Sequence, residues 1–423
     1  FVSGGISLIA IALTARGIGP HDYGILALAI TYTRAVERLV TFQSWQPLIK
    51  YGAEVSEPEH HADFKMLLKY GLVLDLAGAV AAWVIATALT LLASPLFGWD
   101  GHMMTLIAIY CAVLLFNISG TPTAILRLYG RYRAAAYGPV GNALLRVILC
   151  LIGIEMGAGL QYFVFVWMGT QILGSLTFLG FAVKALRDNG VHGVHRASLR
   201  GVTSRFQGIW SFAWQSNLSL TLRSSAQQFD TLLVGALADP ASAGFYHIAK
   251  QVGRMAQQIG VHVQSVLYPD VARLWAARAI GEFRRAIIQV EIMLAGFGVL
   301  VFLFLLAGSE LVLRLTAGPE FAAAAPLMTV QGAAVAFMLV SFPSRSALLA
   351  MGQQRQLLNI AVVTTIVFFA TALALIPYAG AMGANIGHIV IGLIWVLVLT
   401  WMLRQSLKDL PAGNSPADVA AVN

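Results

Sequence analysis

The stretch ARGIGPHDYGILALAITYTRAVERL, Ala15–Leu39, is a long apolar run with charges inside it. Arg34, Glu37 and Arg38 fall within five residues of one another, after a Gly-Pro turn signal. In a soluble protein these charges would mark the solvent-exposed face of a helix. The composition of the whole chain excludes that interpretation, so the charges need another explanation.

Composition identifies the class of protein. The 423 residues are 58% hydrophobic and 11% charged, whereas soluble domains are about 25% charged. One helical crossing of a membrane needs about 20 mostly apolar residues. The sequence therefore predicts an all-α integral membrane protein with about 12 transmembrane helices, from the apolar runs 1–15, 25–48, 66–93, 103–126, 138–155, 160–183, 209–235, 244–268, 286–313, 322–350, 357–377 and 380–403.

Lys and Arg side chains predict the orientation, because cations are retained on the cytoplasmic side during insertion. Alternate connections hold eighteen cations on one side, and the opposite connections hold only Arg16 and Arg314. Both termini and the loop 184–208 are therefore expected in the cytoplasm. The first run lacks a basic leader and a cleavage site, which favours a clipped transmembrane helix over a signal peptide. Cys111 and Cys150 lie in apolar runs, which predicts buried thiols and no disulfide.

An internal repeat predicts the domain organisation. A shift of 220 residues aligns residues 23–29 with 243–249 and places Arg34 on Arg254. Two six-helix lobes of the same orientation, related by a pseudo-twofold axis along the membrane normal, would enclose a central cavity. The expected segments are an N-lobe at 1–185, a cytoplasmic linker at 186–208, a C-lobe at 209–404 and a disordered cytoplasmic tail at 405–423.

Seven cations fall at or near membrane depth. Arg34 and Arg38 are four residues apart, as are Lys250 and Arg254, so each pair shares one helix face. A charge at the bilayer centre costs at least about 2.5 kcal/mol unless it faces water or a partner. We therefore expect a cationic, substrate-facing cavity, with Arg34, Arg38, Arg223, Lys250 and Arg254 as its binding residues; the remaining two deep cations are Arg146 and Arg345.

Carboxylates at comparable depth are fewer: Glu37, Asp75, Asp230 and Glu291. They leave ion pairing open as an alternative for part of the cations, with Glu37 beside an arginine and Asp230 beside Arg223. Glu37 or Asp230 could instead bind a coupling proton or sodium ion. A cavity with net positive charge suits an anion, and arginine forks match a pyrophosphate. The sequence shows no catalytic constellation and no metal-ligand cluster, and no cofactor beyond a coupling gradient is expected.

Two motifs carry a resemblance to a known family. Arg16–Gly24, RGIGPHDYG, resembles the R-x-L-G-P-x-x-Y-G turn of bacterial polysaccharide-unit flippases, with Gly19, Pro20, Tyr23 and Gly24 in the matching positions and Ile18 in place of the usual Leu. Residues 230–235, DTLLVG, followed by Ala243–Tyr246, AGFY, resemble the D-x-x-x-(V/I)-G … G-x-Y element that opens the second half of these proteins. The family belongs to the multidrug/oligosaccharidyl-lipid/polysaccharide (MOP) transporter superfamily.

The resemblance implies a function for the chain. It implies export of undecaprenyl-pyrophosphate-linked oligosaccharide units across the bacterial inner membrane by alternating access, for O-antigen (lipopolysaccharide) or exopolysaccharide synthesis. Membrane lipids, a polysaccharide polymerase and glycosyltransferases are the implied partners, and no nucleic acid is expected. A multidrug/cation antiporter, a membrane enzyme of glycan assembly and a flippase of lipid-linked peptidoglycan precursor remain alternatives.

Overall fold

The fold was described from a computed structural model. The structure describes residues 2–42, 44–55, 57–93 and 99–408. Within these ranges, it does not describe the side chains at 58, 93, 134 and 215–228. The described residues form helices and connecting turns without a β-strand. The tail predicted at 405–423 lies outside these ranges from residue 409 onward.

Fourteen α-helices account for most of the described chain. Numbered α1 to α14, they are Val2–Val40, Trp45–Val55, His61–Ala93, Gly101–Tyr110, Gly120–Leu128, Tyr132–Glu155, Leu160–Asp188, Val202–Arg205, Ile209–Leu237, Pro240–Ala276, Ile280–Thr316, Ala325–Ala350, Gln354–Ala379 and Ala381–Lys408. Short 3₁₀ turns at Cys111–Phe116 and Pro319–Ala324 lead into α5 and α12. The all-helical prediction is confirmed.

Nine segments in the described ranges are long and apolar enough to cross a membrane. One of them, α1, contains a break at Gly19, whose φ of 76° and ψ of 174° are not helical. The break divides α1 into the first two predicted spans. α9 and α10 are also long enough, but polar residues dilute their apolar character. With these divisions the helices agree with the twelve predicted crossings.

The helix surfaces explain the composition. Large apolar side chains point outward in numbers that a soluble protein would not tolerate: on α11 alone, Leu300 and Phe304 are 64% and 60% exposed. Lipid tails are as apolar as these side chains, so outward-facing Leu and Phe carry no penalty inside a membrane. Helices of this kind are apolar on both the lipid-facing and the protein-facing side.

The helices divide into two compact units, Phe1–Ile248 with Glu310–Ala324, and Ala249–Ser309 with Ala325–Asn423. In the first unit an apolar cluster joins α2, α3, α5 and α7 through side chains that include Leu48, Phe64, Ile125 and Leu186. Two predicted spans of this unit are interrupted: residues 41, 42 and 44 lie between α1 and α2, and residues 117–119 separate the 3₁₀ turn from α5. Each interruption leaves backbone groups without an intrahelical partner.

The second unit has its own core. Val271, Phe283, Leu348 and Leu399 belong to one buried cluster, and α12, α13 and α14 pack closely together. The Asn385 side chain donates a hydrogen bond of 2.8 Å to the Leu327 carbonyl oxygen. Each unit thus has a hydrophobic core and internal polar contacts of its own.

Candidate functional site

The candidate site is built around Arg146 in the interior of the first unit. Arg146 lies on α6, nine residues before the helix ends at Glu155, which is about 14 Å along the axis. Its side chain is only 9% exposed. The Nε–H group donates to Thr170 Oγ1 at 2.8 Å, and the guanidinium carbon lies 4.3 Å from the centre of the Trp167 ring. A planar guanidinium is suited to stack and donate at the same time.

Neighbouring polar contacts hold these side chains in place. Trp167 Nε1–H donates to Thr14 Oγ1 at 3.0 Å, and that oxygen lies 3.3 Å from Cys150 Sγ. On the adjoining helix α4, the fully buried Tyr110 hydroxyl donates to Gln171 Oε1 at 3.2 Å. Cys111 and Cys150 are both free, buried thiols, as predicted. The surroundings of Arg146 are therefore anchored on four helices, α1, α4, α6 and α7.

Arg34 brings a second positive charge to this region. It is half-buried on α1, and its charge interacts with Tyr23, Tyr110 and Arg146. The interaction with Arg146 is repulsive, since both groups are cations. Within the described part of the chain, no carboxylate lies within ion-pairing distance of either arginine.

Glu37 compensates only part of this charge. Its carboxylate lies beside the Asn117 side chain and interacts electrostatically with Arg38 and Arg34. One carboxylate thus serves two arginines on α1, and Arg146 has none among the described residues. We call Arg34, Arg146, Tyr110, Trp167 and Thr170 the arginine cluster. Hydrogen-bond donors and positive charge in a membrane interior are suited to bind an anion.

The two sequence motifs meet within the first unit. The Tyr23 hydroxyl lies 2.6 Å from His247 Nδ1, and both side chains are buried. A Cβ atom added to Gly24 would overlap the Pro240 carbonyl oxygen, and one added to Gly244 would lie 2.8 Å from the Pro20 oxygen. Glycine is required where two backbones approach this closely. We call this contact between residues 20–24 and 240–247 the motif crossing.

Asp230 supports the same crossing from α9. Its Oδ2 atom accepts a hydrogen bond of 2.9 Å from the Tyr246 hydroxyl, and its Oδ1 atom accepts one of 2.7 Å from the Thr231 backbone N–H. The Phe321 ring contacts Tyr23 and Phe245 edge-on, with centroids 5.8 and 5.6 Å apart. The motif-turn residues Tyr23 and Gly24 and the acidic residue Asp230 therefore pack together at the motif crossing.

The other predicted site residues are distributed over both units. Arg38 is exposed on α1, whereas Lys250 is buried and Arg254 half-buried on the part of α10 that belongs to the second unit. The Arg223 side chain lies outside the described residues. The substrate-binding roles of these four cations stay predictions, as does the coupling role of Glu37 and Asp230.

The sequence predicts that Arg146 lies at membrane depth, but Arg146 is not among the predicted binding residues. The available signal was an arginine in the middle of the run 138–155, whose one acidic residue, Glu155, stands nine positions away at the end of the run. Trp167 and Thr170 could not be assigned to it, because a Trp and a Thr in an apolar helix have many other uses. No group of three or more His, Cys, Asp or Glu side chains suited to a metal was found among the described residues.

Comparisons with known proteins identify the class. The fold is similar to a structure described as the inward-facing conformation of a multidrug resistance MATE family transporter of the MOP superfamily. The TM-score is 0.73 and the identity 16%, and the match covers 97% of this chain and 96% of the other. It matches lipid II flippase MurJ with a TM-score of 0.68, 13% identity and coverage of 95% and 86%. The chain therefore has the fold of the MOP superfamily of membrane transporters.

The family follows from the sequence. Residues 1–275 match the family model for polysaccharide biosynthesis protein, and the chain belongs to this family. It is also 26% identical to inner membrane protein YghQ of Escherichia coli (strain K12), over 273 residues that cover 64% of this chain and 77% of that protein. The suspected family is thus confirmed, and the chain is a multi-pass membrane protein with the fold of this superfamily.

Proposed function

We propose that the chain is a flippase that moves undecaprenyl-pyrophosphate-linked oligosaccharide units across the bacterial inner membrane for polysaccharide biosynthesis. The observation that carries this proposal is the arginine cluster, in which Arg146 is buried without a carboxylate partner among the described residues. A buried cation of this kind is stabilised by an anion that enters its site. A pyrophosphate supplies two adjacent groups that arginine side chains bind well.

The aromatic and amide groups of the cluster fit the rest of this substrate. Trp167 and Tyr110 offer ring surface, and the Gln171 amide can hydrogen-bond to hydroxyl groups. A substrate with a charged diphosphate and polar sugars needs both kinds of contact. The chain acts as a carrier and not as an enzyme in this proposal, and the unit it moves is made and then polymerised by glycosyltransferases and a polymerase.

Charge distinguishes this proposal from a cation antiporter. A site for an organic cation should carry net negative charge, whereas Arg34 and Arg146 give the arginine cluster two positive charges and Glu37 is the carboxylate that interacts with Arg34. The cation asymmetry predicts that both termini are cytoplasmic. In that orientation, substrate made on the cytoplasmic side would have access to this region. O-antigen and exopolysaccharide units are both compatible with the chemistry.

The test is a leaflet-access assay. Liposomes contain the purified protein and a fluorescent undecaprenyl-pyrophosphate oligosaccharide, and a membrane-impermeant quencher reads the fraction in the outer leaflet. Loss of one charge-assisted hydrogen bond costs about 1.5–3 kcal/mol, so Arg34→Gln and Arg146→Gln should each slow transfer roughly 10- to 100-fold. The matched control is Arg131→Gln, since Arg131 forms an exposed ion pair of 2.8 Å with Asp188.

Two results would contradict the proposal. One is transfer at the wild-type rate in both cluster variants, with the protein correctly inserted. The other is an absence of lipid transfer by the wild-type protein together with efflux of an organic cation, which would indicate the antiporter.

A further inference from the structure

A buried carboxylate outside the arginine cluster joins the two interrupted spans of the first unit. Asp75 lies near the middle of α3 and is 5% exposed. Its Oδ1 atom accepts a hydrogen bond from the Ser44 hydroxyl, and its Oδ2 atom accepts one of 2.6 Å from the Thr121 backbone N–H. Ser44 belongs to the interruption between α1 and α2, and Thr121 is the second residue of α5. One carboxylate therefore bonds to a residue of the first interruption and to the amino end of α5, which directly follows the second.

The fit around Asp75 is tight. A Cβ atom added to Gly120 would lie 2.6 Å from Asp75 Oδ1 and would overlap Ser44 Oγ. Thr121, whose backbone N–H bonds the same carboxylate, is completely buried. Discontinuous helices in transporters commonly bind coupling ions where their ends are exposed inside the protein. The surroundings of Asp75 have this architecture.

Charge compensation at Asp75 comes from dipoles and not from a cation. In the described part of the chain no Lys or Arg pairs with it. The amino end of α5 contributes a partial positive charge. A carboxylate held in a membrane interior without a countercharge bears a large desolvation cost, and binding a proton removes it. In these surroundings, Asp75 can be protonated or deprotonated.

Titratable side chains on the packed elements do not replace Asp75. Glu37 lies beside Asn117 and interacts with Arg34 and Arg38. Among the described residues, no cation forms an ion pair with Asp75. The remaining titratable groups on the segments that flank the two interruptions include Lys50 on α2, Cys111 in the 3₁₀ turn and Arg127 on α5. Asp75 and Glu37 are therefore separate sites.

We propose that Asp75 is the proton-carrying group of the transport cycle, which rests on the proposed transport function. The carboxylate binds one proton from water on one side of the membrane and releases it to water on the other. When protonated, its O–H group donates to Ser44 Oγ, which reverses that hydrogen bond, while the Thr121 N–H still donates. The contact between the interruptions changes, and the segments on either side of them can move.

A proton fits this site better than a sodium ion. Both carboxylate oxygens already face donors, the Ser44 hydroxyl and the Thr121 N–H. A metal ion would have to displace the backbone donor, whereas a proton only reorients a hydroxyl group. Gradient-driven transport that depends on sodium and ignores protons would contradict the proposal.

Asp75→Asn tests the proposal in liposomes that contain the fluorescent undecaprenyl-pyrophosphate oligosaccharide. A gradient of about one pH unit can change the substrate ratio between the leaflets up to about tenfold for each coupled proton. This response should disappear in correctly inserted Asp75→Asn, because the amide cannot bind or release a proton, although its oxygen can still accept from the Thr121 N–H. Glu291→Gln on α11 is the matched control and should respond like wild type. A gradient response in Asp75→Asn, or none in wild type, overturns the proposal.

Carbodiimide labelling gives an independent measurement without substrate. The reagent modifies protonated carboxyl groups in apolar surroundings, and mass spectrometry locates the site. Modification of Asp75 should fall as the pH is raised, and Ser44→Ala should shift the pH range, because Ser44 bonds the carboxylate. Labelling of Asp75 that does not change with pH would overturn its role as the proton-carrying group, whichever substrate the protein transports. Proton-driven efflux of an organic cation that requires Asp75 would instead overturn the flippase function and retain Asp75 as the proton site.

Discussion

Arg146 illustrates what one residue contributes to this protein. Its guanidinium uses its ring-stacking surface on Trp167 and one donor on Thr170, which leaves its terminal N–H groups free of a carboxylate among the described residues. Lysine would carry the same charge but has a compact ammonium without a planar surface. The shape of the side chain should therefore matter as well as its charge.

Arg146→Lys should weaken substrate binding more than it slows a saturated transporter. The loss of stacking and of a fixed donor fork corresponds to about 1.4 kcal/mol, or roughly a tenfold rise in the half-saturating substrate concentration. The dependence of the flipping rate on substrate concentration in liposomes measures this effect. Lys184→Arg, on the exposed end of α7, is the control. Equal half-saturation in Arg146→Lys and wild type would show that charge alone suffices.

At the scale of elements, the motif crossing fixes how α1 passes the start of α10. Gly24 and Gly244 face each other's backbone neighbours, and the Tyr23–His247 and Asp230–Tyr246 hydrogen bonds flank them. The sequence placed Gly24 in the turn motif of the family. The backbone partner, the Pro240 carbonyl oxygen more than 200 residues later, became visible only in the structure.

Gly24→Ala should destabilise the crossing. The new methyl group would overlap the Pro240 carbonyl oxygen, which is backbone and cannot rotate away, and overpacking of this kind costs about 1–3 kcal/mol. The midpoint of thermal unfolding in detergent should fall by several degrees. Gly5→Ala in the same helix is the control, since its added Cβ would meet no atom within 4 Å. Equal midpoints for the two variants would show that the backbones can separate without cost.

At the scale of the whole molecule, hydropathy and charge asymmetry predict both the number of crossings and their direction. The all-helical fold and the superfamily match confirm the first prediction. The direction, with both termini in the cytoplasm, stays a prediction, as do the boundaries of the two lobes and their pseudo-twofold relation.

Single cysteines test the direction. Met156, 71% exposed between α6 and α7, is expected outside, and His195, in the loop after α7, is expected in the cytoplasm. A membrane-impermeant maleimide should label Met156→Cys in spheroplasts with intact inner membranes, but His195→Cys only after permeabilisation. The native Cys111 and Cys150 are fully buried and serve as an internal control against background. The reverse labelling pattern would invert the topology.

The sequence by itself determined the class of fold, the approximate spans, the free cysteines and the presence of deep cations, because these depend on sums over neighbouring residues. Only the tertiary structure decided the partners: Arg146 with Trp167, Asp75 with Ser44 and Thr121, and Gly24 with Pro240. The physical reason lies in the membrane. A soluble helix reveals its buried face by amphipathic periodicity, whereas a helix apolar on its lipid-facing and protein-facing sides does not show which way it is turned. Its polar contacts are settled by packing between helices distant in the chain.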